Sequence, residues 1–132
     1  MSTVLPNSPY ARLGGADAVA RLVKVFYDIV ETSPEGAPLA AMHAKGHGLQ
    51  HARVEQVMFL SGFLGGPPLY AEHHGHMNVK TIHAHLEITA VERDSWLVCM
   101  DKALTQTETE PTLHKQLMAH FTRISHMLQN RF

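Results

Sequence analysis

The sequence predicts a single all-α domain, and three observations support this class. Apolar residues recur at helical spacing in every long segment, glycine and proline separate the segments, and no stretch alternates like a strand. The 132 residues suit one hydrophobic core, and 45% apolar with 17% charged residues is typical of a globular composition. We therefore expect one domain over residues 1–132, with residues 1–9 as a flexible N-terminal extension.

The first two long helices are predicted by their apolar faces. An apolar stripe from Val19 to Val30 includes Tyr27, whose hydroxyl group is directed into the core and needs a polar partner there. A second helix over residues 49–64 places Gln56 among apolar neighbours, and a buried amide is costly without a hydrogen bond. The opposite face of this helix, which includes Val54, is also apolar, so we expect burial on most sides.

Three further helices complete the prediction. A short apolar stripe over residues 79–86 indicates a short helix, and Thr89 with Glu92 forms a capping box before a helix that carries Trp96. The last helix starts at or just after Pro111, because proline favours the first turn. The stretch 67–75 begins with two prolines and ends with a glycine, which predicts a loop.

Composition and charge exclude several classes of function. A formal net charge of -1 without long basic or acidic runs argues against nucleic acid or an anionic membrane as partner. No apolar run approaches the ~18–20 residues that cross a bilayer, and the first residues lack the pattern of a secretory signal. The single cysteine, Cys99, permits no internal disulfide and fits a reducing cytoplasm.

Histidine is unusually frequent, with eleven residues, and two of its groupings are weak metal sites. The first has the spacing i, i+4, i+8, but glycines interrupt a continuous helix there. The second lies in the polar loop without acidic or cysteine partners at fixed spacing. No CxxC, HExxH or Glu-x-x-His pattern occurs, which disfavours structural zinc, a zinc protease and a di-iron bundle. The two groupings are His43, His47 and His51, and His73, His74 and His76.

The third grouping separates His83 from His85, because only His83 lies on the apolar stripe of its short helix. Tyr27, Gln56 and Trp96 are also polar groups on inward faces. An apolar cavity with an imidazole on one wall and hydrogen-bond donors on the other suits haem. Two alternatives stay open: a histidine-rich protein that binds copper, nickel or zinc without haem, and a helical interaction module whose polar groups are ordinary core residues.

The sequence resembles the group II truncated haemoglobins, which fold as a two-over-two helical sandwich around haem. The resemblance extends in order over most of the chain, and the combination of its motifs is more specific than any one of them. The motifs are YARLGG at 10–15, VFYDIV at 25–30, FLGGPPLY at 63–70, GH at 75–76 and ERDSWLVCM at 92–100.

The resemblance implies a role for each candidate site residue. It makes His83 the metal ligand on the proximal side of the haem, with Tyr27 and Trp96 as hydrogen-bond donors on the distal side. It places Ala52 where larger globins carry a distal histidine. It also implies His43 and Gln56 in the pocket. The other residues that we expect there are Phe59, Ile82 and Leu86, which lie on the apolar stripes, and Lys80.

The chain departs from the family around the proximal histidine. Members usually carry arginine directly before this histidine and proline two residues after it, whereas this chain has Ile82 and His85. Lys80 and His85 are the candidates to bind the haem propionates in place of the arginine.

The resemblance implies haem b as cofactor and dioxygen, nitric oxide, carbon monoxide, peroxide or sulfide as ligands. A polar distal pocket favours slow ligand release, which suits scavenging, detoxification or redox chemistry better than bulk oxygen transport. Nitric oxide dioxygenation and a peroxidase-like activity are both compatible, with an unidentified reductase as electron donor. We expect a monomer or a weak homodimer.

Overall fold

The computed structural model describes residues 5–132, which form helices and no strand, so the all-α prediction is confirmed. A 3-10 turn at Pro34–Gly36 lies between the second and third helices. No helix of the described part is long and apolar enough to cross a membrane. The helices are α1 (Pro9–Leu13), α2 (Ala16–Thr32), α3 (Ala37–Lys45), α4 (Leu49–Phe63), α5 (Leu69–His74), α6 (Val79–His83), α7 (Ala90–Gln106) and α8 (Pro111–Leu128).

The N-terminal end of the described chain is already part of the fold. Residues 1–4 of the expected extension lie outside the described residues. Ser8 is buried and its hydroxyl accepts a hydrogen bond from the backbone N–H of Ala11 at 3.1 Å, while Pro9 is the first residue of α1. Ser8 and Pro9 therefore belong to the domain, and the expectation of flexibility does not extend to them.

The sandwich consists of α2 and α4 packed on α7 and α8. The long helix α2 contacts both α4 and α7, and α7 contacts α8. The predicted stripe of α2 is confirmed, because Val19, Phe26 and Tyr27 are each at most 1% exposed. Burial of one such large apolar side chain contributes about 1.5–3 kcal/mol.

Helix α4 ends within one residue of its predicted boundary, but one of its faces is open. Ala52 and Leu60 are buried on the inner face, whereas Val54 is 54% exposed. The expectation that α4 is buried on most sides is wrong at Val54. Neighbouring helices α2, α3 and α5 do not surround α4 completely, so its outer face stays in solvent.

The stretch expected to be a loop contains α5. Tyr70 is buried and packs edge-on against Phe59, at 5.9 Å between ring centroids, which attaches the short helix to α4. Gly75 ends α5 with φ +82°, a left-handed conformation that glycine adopts without strain. The prediction failed here because one buried aromatic contact, rather than a periodic apolar pattern, holds these few residues in a helix.

The connection from α6 to α7 is fixed at both ends. The predicted capping box is confirmed, because the backbone N–H of Thr89 donates to the Glu92 carboxylate at 2.8 Å and the Thr89 hydroxyl accepts from the backbone of α7. Asn130, from beyond the end of α8, accepts from the backbone N–H of Ile88 at 2.8 Å and donates to the carbonyl of Leu86 at 2.9 Å. The chain terminus thereby holds the segment that follows α6.

Candidate functional site

A cavity of about 420 Å³ lies between α4, α6 and the core of the sandwich. A volume of this size is within the range of sites that bind small molecules and cofactors. Nine of the ten residues expected in the pocket line this cavity, and the exception is Lys80, which is exposed and does not line it. The nine are Tyr27, His43, Ala52, Gln56, Phe59, Ile82, His83, Leu86 and Trp96.

His83 is the last residue of α6, and one of its ring nitrogens already makes a hydrogen bond. Its Nδ1 lies 2.8 Å from the carbonyl oxygen of Val79. A carbonyl oxygen can only accept, so Nδ1 carries the proton and the lone pair of Nε2 stays available. Burial lowers the pKa of His83, which favours the neutral imidazole that ligates metals. His85, in contrast, is exposed.

Tyr27 and Gln56 form the polar part of the opposite wall. The Tyr27 hydroxyl donates to Gln56 Oε1 at 3.3 Å, a long hydrogen bond. Burial raises the pKa of Tyr27, and the nearby Arg53 opposes this only in part, so the hydroxyl keeps its proton and acts as a donor. The guanidinium of Arg53 lies 5.7 Å from the centre of the Tyr27 ring and pairs with Asp28 at 2.9 Å.

His43, from α3, reaches the same wall. Its ring centroid lies 6.2 Å from that of Tyr27. Burial, and secondarily the neighbouring His83, His85 and His51, lower the pKa of His43 to about 4. The imidazole is therefore neutral at physiological pH and offers either a donor or an acceptor to the cavity.

The indole ring of Trp96 from α7 packs against two aromatic rings, and its N–H group has no hydrogen-bond partner among the described residues. Phe26 and Phe121 lie 5.2 Å and 5.1 Å from its ring, measured between centroids. The indole N–H makes no hydrogen bond with any residue of the described range, and the side chain lines the cavity. It is available to a ligand of the cavity.

Several histidines lie at the rim of the cavity, and two of them are close to the Glu55 carboxylate. His74 Nε2 lies 2.8 Å from the Glu55 carboxylate, and His51 lies 3.6 Å from it. The rings of His47 and His85 lie 4.5 Å apart between centroids. Within residues 5–132 no three histidine, cysteine or acidic side chains converge as a metal site. The proposed divalent-metal groupings of histidines therefore have no assembled site in this part of the chain.

Sequence reasoning missed part of the lining. Glu55 and Arg93 also line the cavity, as do Ile124 and Leu128 from α8. No residue of α8 is among those expected in the pocket, because the period of an apolar helix face cannot distinguish a contact with other helices from a contact with a cavity. The contribution of Arg93 depends on where α7 begins relative to α6, which the local pattern does not specify.

The residues fit haem by the chemistry of their donors. One neutral imidazole presents an uncommitted nitrogen, the surrounding wall is largely apolar, and hydroxyl, amide and indole donors face the same space. Structural zinc would instead require about four converging ligands.

Comparisons with known proteins agree with this assignment. The family model described as bacterial-like globin matches residues 8–130. Group 2 truncated hemoglobin YjbI of Bacillus subtilis is 30% identical over 125 residues, which cover 95% of this chain and 90% of the relative. The group II 2-on-2 hemoglobin of Agrobacterium tumefaciens is 32% identical with a TM-score of 0.89, and all of both chains is covered.

A further similar structure is the cold-adapted truncated hemoglobin of Pseudoalteromonas haloplanktis TAC125. It is 33% identical, has a TM-score of 0.88, and the match covers 96% of this chain and all of that one. This family implies haem as cofactor and small molecules that bind its iron as ligands. By sequence and by structure, the chain belongs to the bacterial-like globins and, within them, to the group II truncated haemoglobins.

Proposed function

We propose that the protein binds dioxygen and related small ligands, namely nitric oxide, carbon monoxide, peroxide or sulfide, and retains them by hydrogen bonds. Scavenging, detoxification or redox chemistry of the ligand follows better from this design than bulk oxygen transport. The main support for this proposal is that His83, whose Nε2 is free, and the buried hydroxyl of Tyr27 belong to the lining of the same cavity.

Each wall has a distinct task in this proposal. Haem, when bound, would supply an iron that binds small ligands. His83 holds the iron, and its hydrogen bond to Val79 fixes the orientation of the ring. Tyr27, Trp96, Gln56 and His43 supply donors, and in a water-poor site each such bond contributes about 1–3 kcal/mol to ligand retention.

The cofactor in this proposal is haem b, held without covalent attachment. The only cysteine, Cys99, is fully buried in the core of the sandwich and does not line the cavity. It is therefore not placed to form the thioether link of a c-type haem, whose usual motif is C-x-x-C-H.

The reaction we favour is nitric oxide dioxygenation or a peroxidase-like reduction, with a cytoplasmic reductase as electron donor. Slow release of dioxygen gives a second reactant time to reach the site, and this supports a redox role. We propose a monomer or a weak homodimer as the working form, in the cytoplasm, without nucleic acid or membrane as partner.

The test of the site is the visible spectrum of the reduced protein with and without carbon monoxide. We expect a Soret band that shifts with carbon monoxide, is perturbed in His83→Gly and is restored in that variant by added imidazole. His73→Gly is the matched control, because His73 does not line the cavity, and it should keep the wild-type spectrum. If His83→Gly leaves the spectrum intact while His85→Gly alters it, the assignment of the proximal ligand is wrong.

A further inference from the structure

Two histidines from distant parts of the chain meet at the rim of the cavity. The rings of His47 and His85 lie 4.5 Å apart between centroids with an angle of 40°, and both residues line the cavity and are exposed. We propose that His47 and His85 together bind a propionate carboxylate of the haem. The proposal rests on haem occupying this cavity, as the proposed function requires.

The fold brings these residues together where the link between α3 and α4 meets the segment after α6. His47 lies between Gly46 and Gly48, in the link from α3 to α4, and His85 follows the end of α6. A Cβ atom on Gly46 would lie 2.9 Å from Leu86 Cδ2 and 3.4 Å from His85 Nε2. The absence of a side chain at position 46 therefore lets the two segments approach each other.

The rim is where a carboxylate of the cofactor belongs. An ionised carboxylate is strongly disfavoured in an apolar cavity unless it is solvated or paired, so the propionates must lie at the exposed edge. An imidazole donates an N–H to a carboxylate in either protonation state. Two adjoining imidazoles can thus contribute two donors to one carboxylate.

The other rim histidines are already engaged with an acid. His74 lies 2.8 Å from the Glu55 carboxylate and His51 lies 3.6 Å from it, so a second carboxylate beside them would be repelled. No carboxylate of the described residues lies within ion-pair distance of His47 or His85. The ring of His47 also lies 5.1 Å from that of His51, measured between centroids. His47 and His85 are thus the rim histidines that have no acidic partner of their own among the described residues.

Two other cations near the cavity are less suitable. The guanidinium of Arg93 donates to Gln129 at 2.6 Å and to Asp94 at 3.1 Å. Lys80 is exposed and does not line the cavity. The histidine pair thus stands in for the arginine that family members carry before the proximal histidine, where this chain has Ile82.

The test measures how fast haem leaves the holoprotein toward an excess of a haem-scavenging apoglobin. Native haem is compared with haem dimethyl ester, whose propionates carry no charge. We expect His47→Ala and His85→Ala each to lose native haem about two- to fivefold faster than the wild type, as for an exposed charged contact. The same variants should lose the dimethyl ester at the wild-type rate.

Lys80→Ala and His126→Gln serve as controls and should leave both rates unchanged, because neither residue lines the cavity. Unchanged loss of native haem from both histidine variants overturns the proposal. Equal acceleration for native haem and its ester also overturns it, because the rings would then act by packing alone. Failure of the proposed function would appear separately, as a carbon monoxide spectrum that does not depend on His83.

Discussion

The hydroxyl of Tyr27 carries a prediction that the structure makes quantitative. Tyr27 is 1% exposed, and its hydroxyl has one hydrogen-bond partner among the described residues, Gln56 Oε1 at 3.3 Å. This bond is long, so its donor can turn to a ligand at small cost. Tyr27→Phe removes the donor and retains the ring that packs edge-on against Phe26 at 4.7 Å.

The magnitude follows from the loss of one hydrogen bond at a buried hydroxyl. A ligand that accumulates negative charge gains about 1–3 kcal/mol from such a donor. Loss of the donor is therefore expected to raise the dissociation rate of dioxygen by about ten- to a hundredfold. Carbon monoxide is a weaker acceptor, so its dissociation should change much less.

The assay is rapid mixing of the dioxygen-bound protein with excess carbon monoxide, which reports dioxygen dissociation. Tyr10→Phe is the matched control, because Tyr10 is also buried but does not line the cavity. It should leave the rate unchanged. A Tyr27→Phe rate within about twofold of the wild type, or an equal change for both gases, would refute the role of this hydroxyl as a donor.

Three other substitutions test the surroundings of the site. Arg53→Met removes ion pairs to α2 beside the ring of Tyr27 and should lower the free energy of unfolding by about 1 kcal/mol in urea titration. Gly66→Ala forces a methyl group against the ring of Tyr10 and should cost about 1–3 kcal/mol by the same measurement. In the folded haem-free protein the pKa of His43 is about 4, below the ordinary value of 6.5 that we expect in the unfolded chain. As the pH falls, the unfolded chain is therefore protonated at this residue before the folded protein. The contribution of His43 to the free energy of unfolding should therefore be complete above pH ~6.5 and decrease by at most about 3 kcal/mol towards pH ~4. Urea titrations across this pH range should show a smaller decrease for His43→Phe than for the wild type.

The sequence predicted most of the helices because their information is local. The stripe of α2, the capping box of α7 and the proline at the start of α8 are patterns within a few residues of one another, and each is present in the structure. The same periodicity distinguished His83 from His85. Their difference in exposure agrees with this distinction.

Long-range contacts could not be predicted in the same way. The hydrogen bonds of the Asn130 side chain to the backbone of Ile88 and Leu86 join residues more than forty positions apart, and no pattern near Asn130 indicates them. The contact between His47 and His85 is also long-range, because it depends on how the α3–α4 link packs against the segment that follows α6. Lys80 was expected in the pocket as a substitute for the arginine that family members carry, but it is exposed and does not line the cavity.

The two walls of the cavity are stabilised by different means, and this explains why the proximal sequence can depart from the family. Tyr27 and Trp96 belong to helices of seventeen residues with buried faces, which hold them rigidly. Helix α6 has five residues and no buried one, and an isolated helix of that length is unstable in water. The position of His83 must therefore come from contacts outside α6. The side chain of Asn78 caps the helix by accepting a hydrogen bond from the Thr81 N–H at 3.1 Å, and Asn130 donates to the carbonyl of Leu86 just after the helix. Because these contacts do not involve the side chains of Ile82 or His85, other residues at both positions leave His83 and the polar side chains of the opposite wall in place.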